Sequence, residues 1–467
     1  MSTIQISTEQ RPGVLRRQQY GWFFNDWANA AFSATVLTVF LGPYLTTVAT
    51  DAADVHGDVH PLGIPVRAGS FFPYTVSASV LLSVVVMLLA GTVADRTGWH
   101  RRLLCGFAYL GAAATLGMFF LQGNRYLLGG GLLVLANICY AVSAALANSF
   151  LPGLAAPDDR DAVSSKGWAF GYAGGGLLLV VNLGMYEGHA ALGLSADTAV
   201  RLCLASAGAW WAAFTVLPMR RLPSRPQCGA AAAPALAAHG SGHGRGQDAP
   251  GEAAGGTVRE LLGTLRGMRQ YPLTLLFLVA FLCYNDGIQT VVSQASLFGS
   301  KELHMGQGTL VAAILLVQVV AIAGALLLGR LARTHGAKRT ILGSLVGWVV
   351  TLALGYVMPA DSPAWFFVLA VLIGLVLGGS QALSRSIFSH LIPAGREAEY
   401  FSLYKISDRG TSWMGPLVFG LAYQLTGSYR AAIISLLVFF VIGFLLLLRV
   451  PVRRAVEAVG NPVPERL

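Results

Sequence analysis

The sequence predicts an all-α integral membrane protein, with twelve transmembrane helices in two pseudo-symmetric six-helix bundles, on three observations. Hydrophobic residues make up 55% of the 467 and charged residues only 12%, with a mean hydropathy of +0.61, outside the range of a soluble domain of this length. Apolar runs of the roughly 20 residues that cross a bilayer recur with short polar breaks. The two halves of the chain repeat each other's punctuation.

The apolar runs lie near 19–49, 69–93, 103–122, 126–150, 165–186, 198–218, 272–298, 308–331, 340–358, 364–390, 400–424 and 429–448, numbered here as spans one to twelve. Arg11, Arg16 and Arg17 lead into a full-length run rather than a short cleavable one, so span one is expected to act as the targeting signal. Most Lys and Arg residues fall in the segments that share a side with the N-terminus. The opposite loops hold Arg67, Arg125, Arg201, Lys301 and Arg430. The positive-inside rule then puts both termini in the cytoplasm, in what reads as a bacterial inner (plasma) membrane. The net charge of +10 is thereby a topology signal, and nucleic acid is not an expected partner. Membrane lipids are.

Composition also divides the chain. Residues 1–218 form an N-terminal six-helix bundle and 272–449 a C-terminal one, with a cytoplasmic tail at 450–467. Between the bundles, 219–271 contains CGAAAAPALAAHGSGHGRGQDAPGEAAGG, which lacks the aromatic and branched residues of a core and reads as a linker. His239 and His243 in it have no companion ligands, so no metal is expected. The cysteines show no CxxC pairing and read as free thiols.

The repeat is specific in its order. GTVADRTGWHRR follows span two and GRLARTHGAKRT follows span eight, so that Gly91, Gly98 and Arg101 map onto Gly329, Gly336 and Arg339 at one constant offset. Lys166 and Gly176 match Lys405 and Gly415, and Pro152 matches Pro393, at nearly the same offset. Spans one and seven share Asn-Asp, as Asn25-Asp26 and Asn285-Asp286. Within the first loop motif, Gly91 is expected to permit close helix approach and Gly98 a tight turn, with Arg101 and Arg102 meeting anionic lipid.

The loop motif between spans two and three, with twelve spans and a long central loop, resembles the major facilitator superfamily. NDWANAAFSATV, NSFLPGLA, SSKGWAFGYAGG, YNDGIQTVVSQASLFG and GGSQALSRSIFSHLIP resemble, more narrowly, its vacuole-effluxer-like branch, related to autophagy-linked vacuolar amino-acid exporters of yeast. The resemblance implies the major facilitator fold, a secondary transporter, and amino-acid efflux as the activity of the fungal relatives. It also implies that Asp95 latches the cytoplasmic side against the start of span eleven, a contact weakened in the second copy, where Arg333 replaces the acid.

Ionisable groups within spans are costly and mark function. Asp26, Asp286 and Asp408 stand against Arg385, Lys405 and Arg409. Lys405 and Asp408 share a helix face and read as a gating pair, while Arg409 must find a partner elsewhere. Asp26 and Asp286, with Asn25 and Asn285, are expected as cavity groups related by the repeat, able to hold a cationic group, carry a proton or form a gate with a basic residue. Burial favours the neutral form of a carboxyl and a nearby Arg the ionised one, so a change of partner can load or release a proton. Gln289, three residues beyond Asp286, and Gln381, four before Arg385, add groups that can orient a ligand. Trp22, Trp27, Trp210, Trp211 and Trp365 read as an interfacial belt, and GYAGGG and GLVLGG as close-packing stripes.

Lys166, Lys301, Lys338 and Lys405 all follow residues other than glycine, which excludes a GxxxxGK[ST] loop and ATP-driven transport of that kind. No GxSxG, HExxH or comparable constellation supports an enzyme, and no cofactor is expected. The expected protein is a monomeric transporter that moves a small-molecule solute by alternating access, with protons as the candidate coupling ion. A hydrophobic or lipid-like substrate is the alternative; a receptor or membrane enzyme ranks below both.

Overall fold

A computed structural model describes residues 12–154, 160–225, 270–392 and 412–460. Lys405, Asp408 and Arg409, His239, His243 and most of the linker, and the side chains of Asp95 and Arg333 lie outside the described residues. Eleven described helices are long and apolar enough to cross a membrane. Met414–Thr426 covers the second half of the predicted span eleven and runs to just beyond its end.

Span one is longer than its apolar run. Pro12–Ala31 continues without a break through Phe32–Phe40 and Leu41–Asp51, because the Arg-rich start is itself helical. Phe32–Phe40 is π-helical: the Leu41 N–H reaches Val36 O and the Thr38 hydroxyl reaches Ser33 O at 3.0 Å, each five residues back. Such widened turns inside α-helices concentrate at functional sites. The loop after span one carries a short antiparallel pair, Asp58–Val59 with Val66–Arg67. Asp54 accepts from the Asp58 and His56 amides at 3.0 and 2.9 Å, and these bonds hold its carboxyl below the usual carboxylate range.

The turn glycines explain the sequence repeat. Gly98 ends Ala68–Thr97 at φ +67° and Gly336 ends Gln307–His335 at φ +89°, a region that glycine enters without a Cβ penalty. The basic residues after each turn cap a helix end. Arg101 donates to Leu222 O at 2.7 Å, beyond the end of span six. Lys338 donates to Leu448 O and Val450 O at 2.9 and 2.7 Å, at the end of span twelve. Both cations thus sit at the negative end of a helix dipole. The Arg101 guanidinium thus has a backbone carbonyl as partner, a capping role that the sequence did not point to. At Gly91 a Cβ would meet nothing within 4 Å among the described residues.

Close approach happens elsewhere. A Cβ at Gly174 or Gly175 would press on Trp27 or Ala30 of span one, and one at Gly374 on Val320 of span eight, all at 3.3 Å or less. Trp22 and Trp211 are buried at 2% and 0% exposure, so they leave the interfacial belt. Trp22 Nε1 donates to Ala147 O of span four at 2.8 Å, and Trp211 packs on Phe32. Both lie well inside the lengthened bundle. Beyond span twelve, Val452–Ala458 is helical and buries Val452, Ala455 and Val456, so the start of the expected tail is packed. Cys105, Cys139, Cys203 and Cys283 are free.

Candidate translocation site

Spans one and seven each turn the Asp of their Asn-Asp pair toward a glycine-bearing helix of their own half. Asp26, half-buried, lies beside Gly167 and Gly171 of span five. Asp286 is fully buried, and its Oδ2 accepts the Gly415 N–H at 2.9 Å. That amide belongs to the first turn of Met414–Thr426, where helical N–H groups have no partner of their own. Thr290 donates to Asp286 O at 2.7 Å, fixing the same turn of span seven. Asp286 Oδ1 has no hydrogen-bond partner among the described residues.

The structure therefore brings Asp286 to span eleven and Asp26 to span five, and does not bring the two acids together. It does join Asn285 to Gln381, whose Nε2 donates to Asn285 Oδ1 at 2.7 Å. Tyr284 and Ser384 make a parallel link at 2.6 Å, so two successive polar contacts tie span seven to span ten. Gln289 is exposed, unlike the buried Asp286 three residues before it. Arg385 is exposed, one helical turn from Gln381.

A second polar patch joins Asn25 to residues that the sequence did not single out. Trp22, Asn25, Asn29 and Phe32 share one face of span one, and Tyr140, Ser143 and Ala147 one face of span four. The Trp22–Ala147 bond and the Phe32–Tyr140 ring contact at 5.6 Å bracket the seam between them. Asn25 Nδ2, both amide atoms of Asn29 and Ser143 Oγ are buried there without a hydrogen-bond partner among the described residues. Unpartnered buried polar groups cost about 1–3 kcal/mol each, so the seam carries donors and an acceptor that the described residues do not use. The signal available beforehand was helical spacing: Asn25 and Asn29 are four apart.

The halves are tied together on the side away from the N-terminus, here called the distal side. The carbonyls of Thr38 and Val39, in the π-helical segment, accept from Ser296 and from Gln307, the latter at 3.3 Å. Lys301 Nζ donates to Thr47 at 2.7 Å. Between spans two and eleven, Ser70 donates to Gly420 O at 2.9 Å and the Arg67 amide to Gln424 Oε1 at 2.8 Å, while Tyr429 donates to Gly69 O at 3.3 Å.

Paired helical halves sealed at one end around buried polar groups define a major facilitator transporter, a carrier and not an enzyme. Within that class the chain belongs to the vacuole effluxer Atg22-like family, whose sequence pattern matches residues 15–460. It is 26% identical over 438 residues to an uncharacterized MFS-type transporter, YxiO, of Bacillus subtilis (strain 168), covering 93% of this chain and 95% of that one. It is 28% identical to autophagy-related protein 22 of Yarrowia lipolytica, over 84% of this chain and 77% of the relative. Among solved structures it is similar to a D-xylose-proton symporter, with a TM-score of 0.65, 15% identity, and coverage of 93% and 96%. At that identity the likeness speaks for the fold.

Proposed function

We propose that this transporter exports amino acids by alternating access, with residues 1–218 and 272–449 as the two rocking bundles. The observation that carries the reading is the closed distal seal above a centre holding Asp286, Asn285 and Gln381. On this reading the seal is the closed outer gate, both termini are cytoplasmic in a bacterial inner membrane, and the protein works as a monomer. Asp286 is the candidate proton carrier. One of its oxygens is held by a backbone amide and the other has no partner among the described residues, so it can accept a proton without first breaking a bond to any of their side chains. The name of the Atg22 relatives supports efflux, and their autophagy link supports amino acids as cargo.

The test is counterflow of radiolabelled amino acids in proteoliposomes, in wild type and Asp286→Asn, across pH. Amino-acid exchange in the wild type, with its pH dependence lost in the variant, supports both parts. Exchange that is the same in both removes Asp286 from coupling. No exchange of any amino acid overturns the cargo.

A second reading, export of hydrophobic compounds, draws on a small apolar pocket within the C-terminal half. Val291, Phe298, Ile314, Phe366 and Ile433 are among its lining, which presents no polar surface. Transport of a lipophilic dye in place of amino acids would favour it.

A further inference from the structure

Trp168 and Tyr172, four apart on span five, form a contacting ring pair with centroids 5.9 Å apart. They are nevertheless 48% and 51% exposed. Two directions are open to a side chain on the rim of such a bundle, lipid or the space between the halves. Tyr172 has Arg385 of span ten and Tyr140 of span four in its neighbourhood. Those two helices belong to different halves, so a ring near both turns toward the other half and not toward lipid. The exposed face of Trp168 and Tyr172 therefore opens on the space between the halves, and the exposed Arg385 looks into that space from the other side. Such a guanidinium needs water or an anion around it within a membrane.

From this juxtaposition we propose that Trp168, Tyr172 and Arg385 form one subsite for an organic carboxylate with a ring or other flat apolar body. Arg385 pairs with the carboxylate and the two rings take the body. The geometry suits each task. A planar guanidinium matches a carboxylate with two parallel hydrogen bonds, and a pair of rings at this separation offers both face and edge to a third. The subsite rests on the transporter reading above and narrows it, since it selects among solutes by their side chain. It also places selection on residues from both halves, so that the ligand itself bridges the two bodies that must move.

The test measures binding to the purified full chain in detergent, by displacement of radiolabelled L-phenylalanine. The competitors are 3-phenylpropionate, which lacks the amine, phenethylamine, which lacks the carboxylate, and glycine, which lacks the ring. Expected is displacement by phenylpropionate, with phenethylamine and glycine weaker by about tenfold or more. Trp168→Ala and Tyr172→Ala should each weaken phenylalanine by about three- to tenfold and leave glycine unchanged. Trp168→Phe should restore most of the loss. Arg385→Gln should remove the preference for phenylpropionate over phenethylamine, and Arg385→Lys should restore only part of it. Each variant is first checked for a monodisperse gel-filtration profile.

The proposal is overturned if phenethylamine competes as well as phenylpropionate, if phenylalanine does not bind, or if both alanine variants bind phenylalanine as wild type does. Counterflow separates this from the parent reading. Exchange of phenylalanine by the wild type that is lost in Trp168→Ala supports both. Exchange of amino acids untouched by all three substitutions sinks the subsite and leaves the transporter reading standing.

Discussion

Substituting Gly415 by alanine tests whether the contact between Asp286 and span eleven holds the C-terminal half together. Alanine in a helix ordinarily gains about 1 kcal/mol over glycine. Here its Cβ would overlap the Thr290 hydroxyl and lie 2.9 Å from Thr290 Cβ and 3.1 Å from Asp286 O. Overpacking of this kind costs about 1–3 kcal/mol. Pushing the helix away also strands the Gly415 amide and the Asp286 carboxyl, a further ~1–3 kcal/mol. The net expectation is a loss of about 3 kcal/mol, read as a lower midpoint in denaturant unfolding of detergent-solubilised protein. Thr290→Ala removes the overlapping hydroxyl, so the double variant should recover part of that loss and the two changes should couple by about 0.5–3 kcal/mol. Gly176 is the internal control. The sequence repeat pairs it with Gly415, yet a Cβ there would meet nothing within 4 Å, so Gly176→Ala should be neutral or stabilising. If Gly415→Ala unfolds at or above the wild-type midpoint, the reasoning fails.

Other outcomes follow from the same geometry. Asn29→Leu removes two buried atoms that have no partner among the described residues and should keep or raise stability, by up to about 1–3 kcal/mol; if the seam between spans one and four meets solute, counterflow should fall in the same variant, and a large drop in the unfolding midpoint would refute the idle-amide account. Lys338→Met should cost about 1–2 kcal/mol by uncapping the end of span twelve, visible as faster amide exchange at residues 448–452, while Arg339→Met should not change it. Because Asp54 has its folded pKa lowered by the Asp58 and His56 amides, its contribution to the outer loop is present above the unfolded value near 3.8 and is lost as pH falls through the lower folded value. Proteolysis of residues 54–67 should therefore be slow and unchanged from pH 7 to 5 and accelerate only at more acid pH, and Asp54→Ala should be cut quickly throughout.

The parts of this fold written in local chemistry were legible in the sequence. Apolar length marked the spans, and the spacing of Gly98 and Gly336 marked two equivalent turns, because a left-handed φ is a property of a single residue. The Asn-Asp pairs were conspicuous because charge within an apolar run is costly wherever it points. What was not legible was direction. Span seven is apolar on nearly every side, so no periodic stripe told that Asp286 would meet a backbone amide 129 residues away while Gln289, three residues on, stayed exposed. The aromatic residues show the same limit from the other side: Trp22 and Trp168 are alike in sequence setting, yet one is buried with its indole N–H on a carbonyl and the other is half exposed beside Tyr172.

The repeat itself takes on a different meaning once the contacts are known. Both halves keep an acid on the first helix and glycine on the helix it faces, and close packing of that pair is the shared element. They differ in what the acid does there. Asp286 accepts a backbone amide and is sealed from solvent, whereas Asp26 stays half-exposed against two glycines that leave its carboxylate room. A duplicated bundle has thus kept the packing rule and let the electrostatics diverge. On the proposed reading, that asymmetry leaves Asp286 alone to carry the proton.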